Sequence, residues 1–515
     1  MVMGTLIMYL SCSLCLFLLL ILNKFITKVW WTPIRVQSFM SSQGIRGPSY
    51  RILHGNTKEI MNMRNEVLKS SPMELSHQLL PRVQPHIYSW IKLYGKNFLC
   101  WYGPQAQLMV TEPELIKEVL SNKDGDYPKI LFDAYMKKLL GNGTVTAQGE
   151  NWVNLRKLSN HAFHAECLKG MIPAMITSVE MMLERWRHHD GKEIEVFQEF
   201  KVLASEIISR TAFGSSYLEG EQIIDMLTKI AHLISKNRYK IRIPGVGKFV
   251  KTCDDVESEK LEQGIRNCIL NMIKKREESV ITGRLENYGN DFLGLLVKAS
   301  HDADKRMKLS VDDVIDECKT FYVGGHETTT SLLAWTVLLL AIHIDWQDKA
   351  RKEVVELFGK QNPTPDGISR LKIMSMIVNE SLRLYPPVVS LARQIHDKVV
   401  LGNLILPAKV QVSIPILAIH HDPQIWGEDV DHFKPERFAQ GVAKATNNNI
   451  AAFLPFGLGP RNCVGSNFAV TEAKIALSMI LQHYRFTLSP TYVHSPAYLL
   501  TMNPKNGIQV KLQAL

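Results

Sequence analysis

The stretch Phe456-Gly-Leu-Gly-Pro-Arg461-Asn-Cys463-Val-Gly465 sets three glycines around a single cysteine. Glycine lets the backbone turn tightly enough for N–H groups to converge on one sulfur. Apolar residues at helical spacing follow at once, from about Asn467 to Gln482. The sulfur therefore stands at the start of a helix, where partial positive charge favours thiolate over thiol. For an isolated cysteine, a buried thiol in a glycine-rich turn is the simpler reading. Here all five fixed positions of F-x-x-G-x-R-x-C-x-G are filled, which singles out Cys463 as a ligand.

A second long helix is predicted from about Ser310 to Ile344, with Asp312 and Asp313 as capping and dipole partners in its first turn. Its middle reads Gly324-Gly-His-Glu-Thr-Thr329. Each interior glycine costs about 1 kcal/mol relative to alanine, and close backbone approach to a bound group is one compensation. The Thr328 hydroxyl also reaches the carbonyl four residues back, on Gly324, so the segment can open a small groove. His326-Glu327 starts like a zinc-protease H-E-x-x-H motif, but Thr330 stands where the second histidine belongs. His161, His164, His420 and His421 read as surface or core histidines rather than ligands.

Glu380 and Arg383 lie three apart on a helical pattern that stops at Tyr385-Pro386-Pro387. Trp152 and Arg156 lie four apart, an indole N–H and a guanidinium on one helix face.

Residues 5–22 carry no charged side chain, and the first charge after them is Lys24. About 20 apolar residues in helix cross a hydrocarbon core. A cleaved signal peptide needs a basic start and a small-residue cleavage site, and neither is evident. Lys24, Lys28 and Arg35 follow the span and favour a cytosolic body, while Trp30 and Trp31 suit the interface. Gly44-Ile-Arg-Gly-Pro48 then reads as a hinge. Eight scattered cysteines make no disulfide framework and fit a reducing compartment. The net charge of +10 lacks any run of five basic residues or a nucleic-acid motif, so a membrane surface or an acidic protein is favoured over nucleic acid.

The body reads as mainly α with small β-sheets. Strands are expected at Phe98–Tyr102 and from Leu108, with a hairpin at Val399–Leu406 around Gly402-Asn403. The polar stretch from Lys274 to Lys308 reads as a surface connection. No linker interrupts the chain, so the expected organisation is an anchor at 1–24, a basic Gly/Pro linker at 25–50 and one large domain at 51–515.

The cysteine pattern resembles that of the cytochrome P450 family, and the resemblance extends over essentially the whole chain. It implies the P450 fold, haem b with Cys463 as the axial iron ligand, and electrons from NADPH through NADPH-cytochrome P450 reductase. Gly324-Gly325-His326-Glu327-Thr328 matches the family's [A/G]-G-x-[D/E]-T element, with Gly324 where alanine is commoner. That match implies that Thr328 positions dioxygen and water, that Glu327 feeds protons, and that Gly325 gives the cofactor room. Trp152, Arg156, Arg393 and Arg461 then meet the haem propionates, and Phe456 shields the sulfur. Glu380 and Arg383 match the E-x-x-R pair, with Arg437 of Phe433-Lys-Pro-Glu-Arg-Phe438 as third member of a structural network.

The resemblance also makes Asp126–Val145 a lid over the haem, with Tyr127, Phe132, Tyr135 and Leu139. It brings Phe321, Tyr322 and Val388–Leu391 to a lipophilic pocket. Gly44-Ile-Arg-Gly-Pro-Ser-Tyr-Arg-Ile-Leu-His-Gly-Asn56 is similar to a plant clan acting on terpenoids, steroids, hormones and fatty acids. The expected activity is hydroxylation of such a substrate by a single-pass protein of the endoplasmic reticulum membrane with a cytosolic catalytic domain. A haem-thiolate isomerase or dehydratase, and a non-catalytic haem-binding membrane protein, are the competing readings.

Overall fold

A computed structural model describes residues 2–70, 73–130, 132–215, 217–238, 251–304 and 308–515. Contacts divide the chain into two compact units, one built from Met1–Ser70, Gln84–Ile130 and Ala392–Pro415 and the other from the remainder.

The first unit begins with α1 (Val2–Ile26), whose 25 residues rise about 1.5 Å each, enough for a hydrocarbon core of about 30 Å. Its leucines and isoleucines point outward with nothing covering them, and it is long and apolar enough to cross a membrane. The helical course does not stop at residue 24: a π-helical turn at Thr27–Trp31 leads into a helix at Thr32–Ser42, so much of the expected linker is ordered helix. Beyond it, the Arg46 carbonyl accepts the Leu99 N–H at 2.9 Å, and a Cβ on Gly47 would lie 1.8 Å from the Leu99 oxygen. The Gly/Pro segment is thus docked on a strand edge, which is why only glycine fits at 47.

That strand is β1 (Phe98–Tyr102), antiparallel to β2 (Gln105–Met109) across the Gly103-Pro104 turn. Strand β3 (Leu391–Gln394), the hairpin β4 (Val399–Leu401) and β5 (Leu404–Leu406), and β6 (Gln411–Ile414) follow. The larger sheet has the order β1-β2-β6-β3, with β2 and β6 parallel. The hairpin pairs Leu401 with Leu404, as its Gly-Asn turn predicts.

The second unit is helical and carries the main core. Its labelled helices are α2 (Ala134–Leu140), α3 (Gly149–Ala162), α4 (Val196–Ala212), α5 (Val311–Ile342), α6 (Lys372–Leu384) and α7 (Ser466–His483). The central one is α5, packed against α2, α4, α6 and α7. Ser310 caps it with a reciprocal Asp313 capping box, and it ends at Ile342 before a 112° bend into Ile344–Phe358. Strand β7 (Met502–Pro504) pairs with Pro496–Tyr498.

The stretch from Lys274 is not a plain surface connection. A helix spans Cys253–Ile281, and another at Phe292–Ser300 buries Phe292, Leu293, Leu296 and Val297. Residues 305–307 lie outside the described residues.

Candidate active site

The cysteine loop is closed by the Cys463 N–H, which donates to the Phe456 carbonyl at 2.8 Å. Gly457 and Gly459 inside the loop have φ of 71° and 73°, a conformation that only glycine adopts without strain. Helix α7 starts at Ser466, three residues after the sulfur. Protein atoms pack closely around the Cys463 sulfur. That enclosure raises the pKa of the thiol, against a bond from the Gly465 backbone and the nearby Arg156 charge, which lower it. Glycine N–H, helix N-terminus and guanidinium all favour the thiolate, the form that binds metal.

Helix α3 brings its predicted pair to this loop. Arg156 forks onto Asn462, with Nη1 2.6 Å from the backbone oxygen and Nη2 2.7 Å from Oδ1, while its Nε donates to Asn160 at 2.9 Å. Its guanidinium thus grips the residue beside Cys463. The Trp152 indole carries the Arg461 guanidinium 4.0 Å above its ring, and Arg461 donates to the Ala147 carbonyl at 2.8 Å. Trp152 Nε1 is buried and has no hydrogen-bond acceptor. A buried indole N–H without an acceptor asks for one from outside the chain. Phe456 is half-buried against the core.

Arg393 stands on β3, where its Nη1 donates to the Ala392 carbonyl at 2.9 Å. Burial pushes its pKa down to about 10, as for a cation deprived of solvent.

On α5 the Thr328 hydroxyl donates to the Gly324 carbonyl at 2.7 Å. The two glycines differ. A Cβ on Gly324 would meet open space, whereas one on Gly325 would lie 2.7 Å from Ile208 Cδ1 of α4. Gly325 therefore serves helix-to-helix packing, and the open side of α5 is at Gly324. The Glu327 carboxylate, 13% exposed, lies 3.8 Å from His326 Nδ1 and accepts from Thr501 Oγ1 at 3.3 Å.

Glu380 and Arg383 on α6 are both wholly buried and joined by two 2.8 Å bonds. The backbone N–H of Lys434 adds a 2.9 Å bond to Glu380, and Arg437 Nε lies 3.4 Å from it. Arg437 spends its stronger bonds on the Trp426 carbonyl and on Asp429. Buried His420 ties this network to the cysteine loop, with Nδ1 3.2 Å from the Arg383 carbonyl and Nε2 2.9 Å from the Leu454 N–H.

Two expected pocket residues are stacked in the core, and of these Tyr322 also borders a narrow pocket with Leu139 and Glu327. Phe321 stacks on Phe163 at 5.1 Å and meets Phe292 at 4.2 Å, and Tyr322 stacks on Phe213 at 4.0 Å. The part of the lid from Asp133 onward forms α2, whose Tyr135 donates to Asp255 at 2.9 Å. Glu317, Asn462 and Thr501 escaped the sequence reading, while His420, read as a surface or core histidine, is buried in the core. Only Glu317 left a trace there, a carboxylate seven residues before Gly324 and so on the same helix stripe.

A thiolate ligand at a helix start, a buried indole donor and two guanidinium groups around one loop suit a haem with its anionic propionates. Comparison with known proteins points the same way. A family model described as Cytochrome P450 matches residues 76–512. Cytochrome P450 CYP749A22 of Panax ginseng is 58% identical over 98% of this chain and 97% of its own length. Cytochrome P450 734A1 of Arabidopsis thaliana is 39% identical, covering 98% and 96%. The 11-oxo-beta-amyrin 30-oxidase of Glycyrrhiza uralensis is 41% identical, covering 95% of each chain.

Proposed function

The chain belongs to the cytochrome P450 family and is a haem-dependent monooxygenase, and on that premise we propose that it hydroxylates a lipophilic terpenoid, steroid or triterpenoid, a class that includes plant hormones. Electrons come from NADPH through NADPH-cytochrome P450 reductase, and the cofactor is haem b. The protein is a single-pass protein of the endoplasmic reticulum membrane, its catalytic domain in the cytosol. The observation that carries the reading is Cys463 at the start of α7, in a loop closed on Phe456 and gripped by Arg156.

In this proposal Cys463 ligates the iron, Trp152, Arg156 and Arg461 supply donors to the propionates, and Arg393 is a further cation for that purpose. Bound haem supplies dioxygen activation, which thiolate donation favours. Phe456 keeps water from the sulfur. Thr328 orients dioxygen and water on the open side of α5, and Glu327 hands protons to that side. Glu380, Arg383 and Arg437 hold the loop rather than react. The substrate class is supported by the relative whose name states oxidation of a β-amyrin derivative.

Full-length protein in microsomes, reduced and exposed to carbon monoxide, should give the red-shifted thiolate Soret band, and Cys463→Ala should abolish it. A band at the unshifted position in the native protein sinks the thiolate assignment. Incubation with reductase, NADPH and a terpenoid and steroid library, read by mass spectrometry, should give a product one oxygen heavier. Products without added oxygen would overturn the hydroxylase reading.

A further inference from the structure

Ser331 and Trp335 lie one and two turns beyond Glu327 on α5, and both donate to the Met502 carbonyl, at 2.7 and 2.8 Å. A carbonyl oxygen has two lone pairs and takes both bonds. The Met502 N–H is held as well, donating to the Pro387 carbonyl at 2.9 Å. Strand β7 is thereby fastened along the helix, and the residue before Met502 is set beside Glu327. There Thr501 Oγ1 lies 3.3 Å from Glu327 Oε2 and 3.0 Å from the side-chain amide of Asn503. Thr501 and Asn503 are both buried.

One hydroxyl proton cannot serve two acceptors. As placed, Asn503 presents Oδ1 to the hydroxyl; both contacts are satisfied when the amide is turned end for end so that its N–H donates to Thr501 Oγ1, which leaves the hydroxyl proton for Glu327. With the amide so turned, the three groups make a directed chain, Asn503 N–H to Thr501 O–H to the Glu327 carboxylate. The alternative neighbour of that carboxylate, His326, is buried, and burial lowers its pKa. At 3.8 Å His326 Nδ1 is beyond hydrogen-bond distance of the carboxylate and is a weak competitor for it. A narrow pocket bordered by Val323, His326, Glu327 and Leu500 has about 10 Å³ of free space, roughly what one water needs.

We infer that Thr501 is a positioning residue for Glu327, holding its carboxylate in one orientation by a hydrogen bond that Asn503 directs. The inference rests on the reading of Glu327 as proton donor, and it adds a residue some 170 positions away in the chain as the part that aims it. Without Thr501 the carboxylate turns about its own torsions, and protons arrive late relative to electrons.

The test uses the full-length, haem-loaded protein and three variants, Thr501→Val, Thr501→Ser and Glu327→Gln. Infrared difference spectra between native protein and Glu327→Gln isolate the Glu327 carboxylate stretch. Thr501→Val should shift that band and Thr501→Ser should restore it, because the band responds to the number of donors on the oxygens. With reductase and NADPH, peroxide released per NADPH should rise about fivefold in Thr501→Val, the factor expected for one hydrogen bond, and stay near native in Thr501→Ser. An unmoved band and native peroxide in Thr501→Val, with raised peroxide in Glu327→Gln, overturn the inference and leave the Glu327 reading standing. Native peroxide in Glu327→Gln overturns that reading, and the role of Thr501 with it. If Thr501→Val gives no thiolate band with carbon monoxide, Asn503→Ala carries the test: the undirected hydroxyl should shift the carboxylate stretch in smaller measure, and an unmoved band overturns the inference.

Discussion

Glu317 accepts the backbone N–H of Thr144 at 2.6 Å together with the Thr144 hydroxyl, and the Ser159 hydroxyl at 3.0 Å, so one buried carboxylate on α5 fixes both α3 and the loop before it. Burial raises its pKa, and the Thr144 and Ser159 donors lower it. The same loop gives its Ala147 carbonyl to Arg461, so slack at Glu317 reaches the cysteine loop. Glu317→Ala orphans the Thr144 N–H and hydroxyl, while Ser159 keeps the Leu155 carbonyl at 2.8 Å, and it should cost about 2–4 kcal/mol, with weaker haem retention. Glu317→Gln should cost less, since its carbonyl still accepts. Thermal unfolding of the detergent-solubilised protein checks this. An alanine variant as stable as the native protein would remove Glu317 from the site's framework.

The neighbouring glycines of α5 should respond to alanine with opposite signs. At Gly324 a methyl enters open space, and the gain in helix propensity should stabilise by about 0.5–1 kcal/mol. At Gly325 it meets Ile208 Cδ1 at 2.7 Å and Cγ1 at 2.9 Å, so overpacking should cost about 1–3 kcal/mol. Shortening the obstacle in Gly325→Ala with Ile208→Val should recover part of the loss. Denaturant titration reads all three. Equal effects at both positions would contradict the distinct surroundings of the two glycines.

Periodic and capped features were legible from residues alone. The Ser310 cap, the Val399–Leu406 hairpin and the helix after Cys463 stand where glycine, capping residues and apolar spacing put them. Net polarity misled over Lys274–Lys308. Ile265, Ile269, Met272 and Ile273 keep a helical apolar stripe running into that stretch, and Phe292, Leu293, Leu296 and Val297 form a short one inside it. Contacts set by tertiary packing left no local mark. Arg156 meets Asn462 across 306 positions, and nothing in either neighbourhood announces the pairing.

Arg383 fills a fork that lysine cannot. Its Nε and Nη2 each lie 2.8 Å from a Glu380 oxygen, and Nη1 holds the His420 carbonyl at 2.9 Å. Arg383→Lys keeps the charge but loses most of these bonds, and inside a fully buried pair that should cost about 3–5 kcal/mol. The expected outcome is membrane-inserted protein with little or no thiolate band. A normal spectrum in Arg383→Lys would show that charge alone suffices.

Thr328 bonds within its own helix, so its side chain is dispensable for folding. Thr328→Ala should leave stability within about 1 kcal/mol of native. It should nevertheless divert electrons from product to peroxide, while Thr328→Ser should stay close to native. Peroxide and NADPH measured together decide it, and unchanged coupling in the alanine variant would take Thr328 out of proton delivery.

The tautomer of His420 is fixed by what it touches. The Arg383 carbonyl needs a donor at Nδ1, and the Leu454 N–H needs an acceptor at Nε2, so only the neutral ring satisfies both. Burial above all, then the His421 and Arg383 charges, push its pKa down from 6.5 to about 3. The unfolded chain thus takes up this proton first as the solution is acidified. Stability that His420 contributes above pH 6.5 is therefore lost as the pH falls toward 3. His420→Gln keeps an acceptor for Leu454 but does not titrate, so it should be less stable near neutral pH by about 1–2 kcal/mol. The gap should close as the pH drops, because only the native protein loses the His420 contribution. The buried histidines His77 and His86, likewise lowered, titrate in both proteins and cancel in the difference. Denaturation of both proteins between about pH 4 and 8 measures that gap, and a gap independent of pH would mean that His420 does not hold the loop through its neutral form.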